Sequence, residues 1–218
     1  LYLPNAPEFI YFKTLYHLFG ANLEVQQRSA EQIERSTLHQ TKLWAQLYQF
    51  QQDGVTAILA KLARYNGCIV ADSVGLGKTF EALAVIRHFE LQRRRVLVLC
   101  PKKLSQNWLQ YIRRHQNPLH EENFKYTLLA HTDLNRTSGK SESGEDLATF
   151  DWGQYDLVVI DESHHFRNQT SRYEQLMKNV LNKVSGEKTK VLLLSATPVN
   201  NNLRDLRNQL YLFTEGQE

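Results

Sequence analysis

From Val55 onward the chain alternates between short uninterrupted apolar runs and longer stretches whose apolar residues recur every three or four positions. The runs at 67–71, 96–100, 126–130, 157–161 and 191–195 have no polar face. Such a run belongs to a strand buried on both sides, as in a parallel sheet. The intervening periodic stretches predict helices at 55–65, through 81–91, near 104–115, at 171–184 and at 202–213. Repeated strand–helix units predict an α/β fold, a parallel sheet flanked by helices on both faces.

Two segments depart from this rhythm. Residues 1–7 hold two prolines, and Phe9, Ile10, Phe12, Leu15, Tyr16, Leu18 and Phe19 then recur at helical spacing. The polar stretch up to Gln52 adds Leu38, Leu43, Trp44 and Leu47. Together they predict a helical N-terminal extension over 1–45 beside a main domain over 46–218. Residues 131–153, rich in Ser, Gly, Asp and Glu, predict a long mobile surface loop.

The chemistry gathers at two strand ends. The run at 67–71 leads into Asp72-Ser73-Val74-Gly75-Leu76-Gly77-Lys78-Thr79 and then a helix. Closely spaced glycines let backbone N–H groups close around anionic oxygens, and a helix N-terminus adds positive potential. Lys78 can reach terminal phosphates, and the Thr79 hydroxyl can ligate magnesium. The general pattern has Gly at position 72, where this chain has Asp72. At the second strand end, the apolar run 157–160 is followed by Asp161-Glu162-Ser163-His164. There Asp161 would hold Mg2+ and Glu162 would take a proton from the attacking water. Alone, an acid pair after a strand reads as a helix start; beside a phosphate loop it reads as a nucleotide site. Lys78, Asp161 and Glu162 are thus the candidate catalytic residues and ATP the expected ligand.

Composition narrows the setting. The chain has 218 residues, 42% hydrophobic and 22% charged, enough to bury a full core and too little charge for disorder. Its net charge of +3 permits nucleic-acid binding without requiring it. Cys68 and Cys100 fall on strand runs, away from metal-ligand spacing, and read as buried thiols in a reducing compartment. No apolar run approaches the roughly 18 residues of a membrane span, so no membrane contact and a cytoplasmic location are expected. The chain opens on Leu1 and its single methionine is Met177, which suggests a piece of a longer protein.

In order and content these motifs resemble the first RecA-like lobe of superfamily 2 helicases and translocases, and within them the Swi/Snf-like branch, bacterial members included. The resemblance covers about 47–213. Phe50-Gln51-Gln52-Asp53-Gly54-Val55 resembles the glutamine motif, which implies that Gln51 reads the adenine edge. Asp72 fits the acid that often opens the family's loop, and Ser73 departs from its usual second acid. Pro101 followed by Leu104, Asn107 and Trp108 resembles the motif that touches the nucleic-acid backbone. It implies DNA contacts from Pro101, Lys102, Lys103 and Asn107, with Trp108 as a packing residue. Asp161-Glu162-Ser163-His164 is similar to the Asp-Glu-x-His box. Ser195-Ala196-Thr197-Pro198 resembles the coupling motif, whose Ser195 and Thr197 hydroxyls would hydrogen-bond His164. Pro198-Val199-Asn200-Asn201 matches the Swi/Snf continuation and implies a further DNA contact at Asn200.

The resemblance also implies an ATP-dependent DNA translocase that tracks the backbone without reading sequence. It implies a second RecA-like lobe supplying arginines, so these residues alone would hydrolyse ATP poorly. An RNA helicase, a restriction-type motor and a non-catalytic nucleotide-gated module remain alternatives. Arg93-Arg94-Arg95 reads as a cationic complement to a helix C-terminus in preference to a DNA contact.

Overall fold

In the computed structural model, five strands form one sheet in the order β1-β5-β4-β2-β3, every pair parallel. The residues described are 37–72, 75–113, 119–181, 188–199 and 202–214. The predicted extension therefore lies largely outside them, as do Ser73, Val74 and Asn200. In chain order the elements are α1 (Lys42–Gln46), α2 (Gln49–Tyr65), β1 (Gly67–Val70), α3 (Lys78–Leu91), β2 (Val96–Cys100) and α4 (Ser105–Ile112). There follow β3 (Thr127–Ala130), β4 (Leu157–Asp161), α5 (Ser171–Gln175), β5 (Lys190–Leu194) and α6 (Leu203–Thr214).

Alternate residues of each strand feed two cores. Val96, Val98, Cys100, Leu157 and Val159 face α2, α3 and α4. Leu97, Leu99, Val158 and Ile160 face the layer containing Tyr173, Leu176 and Leu212. This two-sided burial is why the strand sequences carry no polar face. Leu38 and Leu43, both 0% exposed, are buried in the first core, so residues just ahead of α2 pack with the main domain. Gly67 opens β1 because a Cβ there would stand 1.9 Å from Cγ of Phe213; only glycine lets the α6 ring lie over that strand.

Three sequence expectations are corrected. The helix expected to start at residue 55 starts at Gln49, because its first turn is polar and carries no apolar stripe. The segment 131–153 is no loose loop. His131, Asp133, Leu134 and Leu147 are buried, and Ser141 N–H and Leu147 N–H bond the carbonyls of Glu145 and Gly139. Its few apolar residues are spaced without period, so patterning missed them. The helix expected over 171–184 is α-helical only to Gln175 and continues as a π-turn over Leu176–Leu181.

Candidate functional site

β1 and β4 are separated by β5 alone, so their C-terminal ends stand two strand spacings apart, about 10 Å. In an open α/β sheet that edge is where ligands are held. Beyond β1, Gly75 and Gly77 have φ of 89° and 90°, a left-handed conformation that strains any residue with a Cβ. Gly77 caps α3, and its carbonyl accepts from Phe80 N–H at 2.8 Å. A Cβ on Gly77 would also lie 2.2 Å from Nε2 of Gln51. Lys78 Nζ turns back to donate to the Asp72 carbonyl at 2.5 Å, and Thr79 is half-buried in the first helical turn.

Gln51 is buried and both ends of its amide are engaged. Its Oε1 accepts from Tyr48 N–H at 3.0 Å, and its Nε2 donates to the Leu76 carbonyl at 3.1 Å. It braces the phosphate loop against α2, and reading an adenine edge requires one of these bonds to open. Beside it, Tyr48 and Phe50 are exposed and stack in parallel, centroids 5.9 Å apart. Phe50 opens the glutamine motif, but nothing in the sequence pairs its ring with Tyr48, since neither belongs to an apolar stripe.

The acid at the end of β4 is held from both sides. Asp161 Oδ2 accepts from Trp108 Nε1 at 3.0 Å, and Oδ1 accepts from Glu162 N–H at 2.9 Å. Burial lifts the Asp161 carboxyl above its usual range, while the Trp108 bond, and more weakly the charge of Lys78, pull it down. Trp108, 1% exposed, is thus a packing residue, as expected, and also orients Asp161.

Glu162 takes φ 50° and ψ 49°, an uncommon left-handed conformation for a residue with a side chain. The bend turns its carboxylate away from the strand, where Oε2 lies 3.1 Å from His164 Nδ1. Ser195 Oγ is 3.5 Å from that same nitrogen and also accepts from Thr197 N–H at 3.2 Å. Ser195 thus approaches His164, whereas Thr197 enters through its backbone. A buried amide extends the group: Ser163 Oγ donates to Gln209 Oε1 at 2.9 Å, and Gln209 Nε2 donates to the Pro198 carbonyl at 2.6 Å. Gln209, 0% exposed, so ties α6 to both strand ends. No motif marked it, since a lone Gln on an amphipathic helix carries no signal of its own.

The predicted backbone-contact residues line the turn after β2. Pro101 precedes a 3-10 turn over Lys102–Leu104, and Lys102, Lys103 and Asn107 are exposed. Lys102 Nζ pairs with Glu142 Oε1 at 3.1 Å.

The donor set suits a magnesium triphosphate. Magnesium is commonly held by one or two protein oxygens plus phosphates and waters. Asp161 and Thr79 fit that description, and among the described residues no cluster of three or more His, Cys, Asp or Glu forms a self-sufficient metal cage. Among the described residues, a Cβ at Gly75 would meet nothing within 4 Å, so there is open space beside that glycine. No described helix is long and apolar enough to cross a membrane.

The chain is similar to several known proteins. An ATP-dependent helicase, YqhH of Bacillus subtilis (strain 168), is 28% identical over 163 residues, covering 70% of this chain and 27% of its own length. Mouse ZRANB3, a DNA annealing helicase and endonuclease, is 28% identical over 168 residues, covering 72% of this chain and 15% of its own length. The chain therefore spans about a quarter or less of these relatives. The fold is shared with the Sulfolobus solfataricus SWI2/SNF2 ATPase core in complex with dsDNA, with TM-score 0.58 and 20% identity over 78% of this chain and 36% of that one. The SNF2-related domain matches residues 50–216, most of the chain, which belongs to that family.

Proposed function

We propose that this chain is the ATP-binding first lobe of a DNA translocase, in which ATP hydrolysis drives movement along DNA. The observation that carries the reading is the pairing, on one sheet edge, of a glycine loop ending in Lys78-Thr79 with a braced Asp161 and a bent-out Glu162. The ligand is ATP, with its phosphates over 72–79. Lys78 leaves the Asp72 carbonyl to meet them, and the exposed Tyr48–Phe50 pair offers a flat face for the base. Thr79 and Asp161 would hold magnesium, which would supply neutralisation of the phosphate charge.

Glu162 is the proton acceptor for the attacking water, and its second partner is His164. A shift in the Glu162 carboxylate on turnover therefore reaches His164, Ser195 and the Pro198 segment, through which the nucleotide state is coupled to DNA. DNA is the partner, held by its backbone at Pro101, Lys102, Lys103, Asn107 and Asn200. Lys102 exchanges Glu142 for a phosphate on binding. The named activity of ZRANB3 and the dsDNA-bound structural neighbour support DNA over RNA. Arginines from a second RecA-like lobe complete the site.

The test is Glu162→Gln in a protein carrying both lobes. ATP affinity should stay within about threefold while turnover falls by about 10² or more. Turnover equal to wild type would remove Glu162 from the role of base.

A further inference from the structure

Two glycines let α2 and α3 close on each other beside the nucleotide site, and only one of them belongs to the phosphate loop. The other, Gly54, lies in the second turn of α2, where glycine weakens a helix relative to alanine. A contact from α3 accounts for it. A Cβ on Gly54 would stand 2.9 Å from Glu81 Oε1 and 3.4 Å from its Cδ, closer than packed atoms settle. Glu81 is 3% exposed, so its carboxylate has no solvent to swing into. An acid is rarely buried to that degree, and this one is lodged against the backbone of a neighbouring helix.

A second contact runs the other way. A Cβ on Gly77 would run into Nε2 of Gln51, whose amide holds the Leu76 carbonyl. Gln51 thus reaches from α2 over the glycine that caps α3, and Glu81 reaches from α3 over the glycine of α2. Gln51 and Gly54 are three positions apart and Gly77 and Glu81 four, so each pair lies along one helix face. Glu81 N–H also bonds the Gly77 carbonyl at 3.3 Å. Beyond this crossing, Val55 and Ile58 of α2 share a core with Ala82 and Val85 of α3, which keeps the two helices in contact.

We propose that Glu81 is a positioning residue for the nucleotide: lodged at Gly54, it fixes α2 against the phosphate loop and so sets the distance between base contacts and phosphate contacts. Gln51 and the Tyr48–Phe50 pair stand at the start of α2, and Gly77, Lys78 and Thr79 at the start of α3. A base held by the first group and phosphates held by the second must satisfy both at once. Fixing that distance before binding spares the complex the cost of ordering it. The inference rests on the ATP reading above and adds that the adenine end is selected through Glu81, acting by way of α2.

The experiment titrates ATP and inorganic triphosphate, each with magnesium, into wild-type and variant protein by calorimetry, with thermal unfolding to identify the folded variants. In Gly54→Ala the new methyl group displaces Glu81 or α2. ATP affinity should fall at least about tenfold, while inorganic triphosphate, which uses the loop alone, stays within about threefold. Adding Glu81→Asp shortens the acid by one methylene and makes room for the methyl group. ATP affinity in that double variant should return to within about threefold of wild type. Glu81→Ala, which removes the carboxylate and crowds nothing, should show the same selective loss of ATP, and decides the matter should Gly54→Ala not fold. Equal weakening of both ligands, ATP affinity unchanged in the single variants, or no recovery in the double variant overturns the role of Glu81 and leaves the ATP reading standing. Wild-type protein that binds neither ligand overturns that reading, and this inference with it.

Discussion

Asp161 is fixed by a residue 53 positions away in the chain. The Trp108 indole N–H spans from α4 to the end of β4 at 3.0 Å and leaves the carboxylate little freedom to turn. Trp108→Phe keeps most of the ring packing and deletes that one donor. We expect a loss of about 1–2 kcal/mol in stability, from a buried oxygen left with one partner fewer. Turnover should fall several-fold, because the acid no longer holds its orientation. Urea unfolding and steady-state ATPase assays check the two effects, and unchanged turnover would make Trp108 packing alone. The sequence showed Trp108 as a packing residue but not this bond. A hydrogen bond across such a separation has no local spacing to betray it. Lys78, Asp161 and Glu162 stand out as candidates in the sequence because phosphate chemistry demands those residue types at fixed offsets from glycines and from a strand end.

Among elements, the strands were legible and several helix limits were not. An uninterrupted apolar run buried on both faces reads only one way, so all five strands fall within about a residue of their expected positions. The start of α2 was hidden because Gln49, Gln51, Gln52 and Asp53 give its first turn no apolar stripe. Its ordering comes instead from Gln51 accepting Tyr48 N–H. Segment 131–153 looked soluble because its core contributions, Leu134 and Leu147, are isolated among polar residues. The placing of α6 against the site depends on Gln209, which bonds both Ser163 and Pro198. Gln209→Leu fills similar volume but leaves the buried Ser163 hydroxyl and the Pro198 carbonyl without this partner. A destabilisation of about 1–3 kcal/mol is expected. ATP affinity should hold while DNA-stimulated turnover drops. Turnover that responds to DNA as in wild type would show that α6 plays no part in coupling.

Across the whole molecule, buried titratable groups pull stability in opposite directions with pH. Burial, then the charge of Arg94, depresses His88 to about 4; burial, then His165, depresses His131 to about 3. Their contribution is present above the unfolded value of about 6.5 and is lost as pH falls toward 3–4. Burial, joined by the negative charge of Asp72, raises Glu81 to about 7, and burial likewise raises Glu90 to about 7. Those acids favour the fold at low pH, and the benefit is lost as pH rises from about 4.5 through 7. Glu81→Gln removes one such term. The variant should gain about 1–3 kcal/mol over wild type at pH 8 and converge with it below about pH 4.5, measured by urea unfolding at several pH values. An equal difference at pH 5 and pH 8 would show that Glu81 does not titrate with folding.

The central claim is that a triphosphate cradle and a metal-holding acid share one sheet edge, and ATP titration with and without magnesium measures it directly. Wild-type protein should bind ATP more tightly with magnesium present, Lys78→Ala should lose binding in both conditions, and Asp161→Asn should lose the magnesium gain while retaining metal-free binding. ATP binding indifferent to Lys78, or a magnesium gain that survives Asp161→Asn, would contradict it.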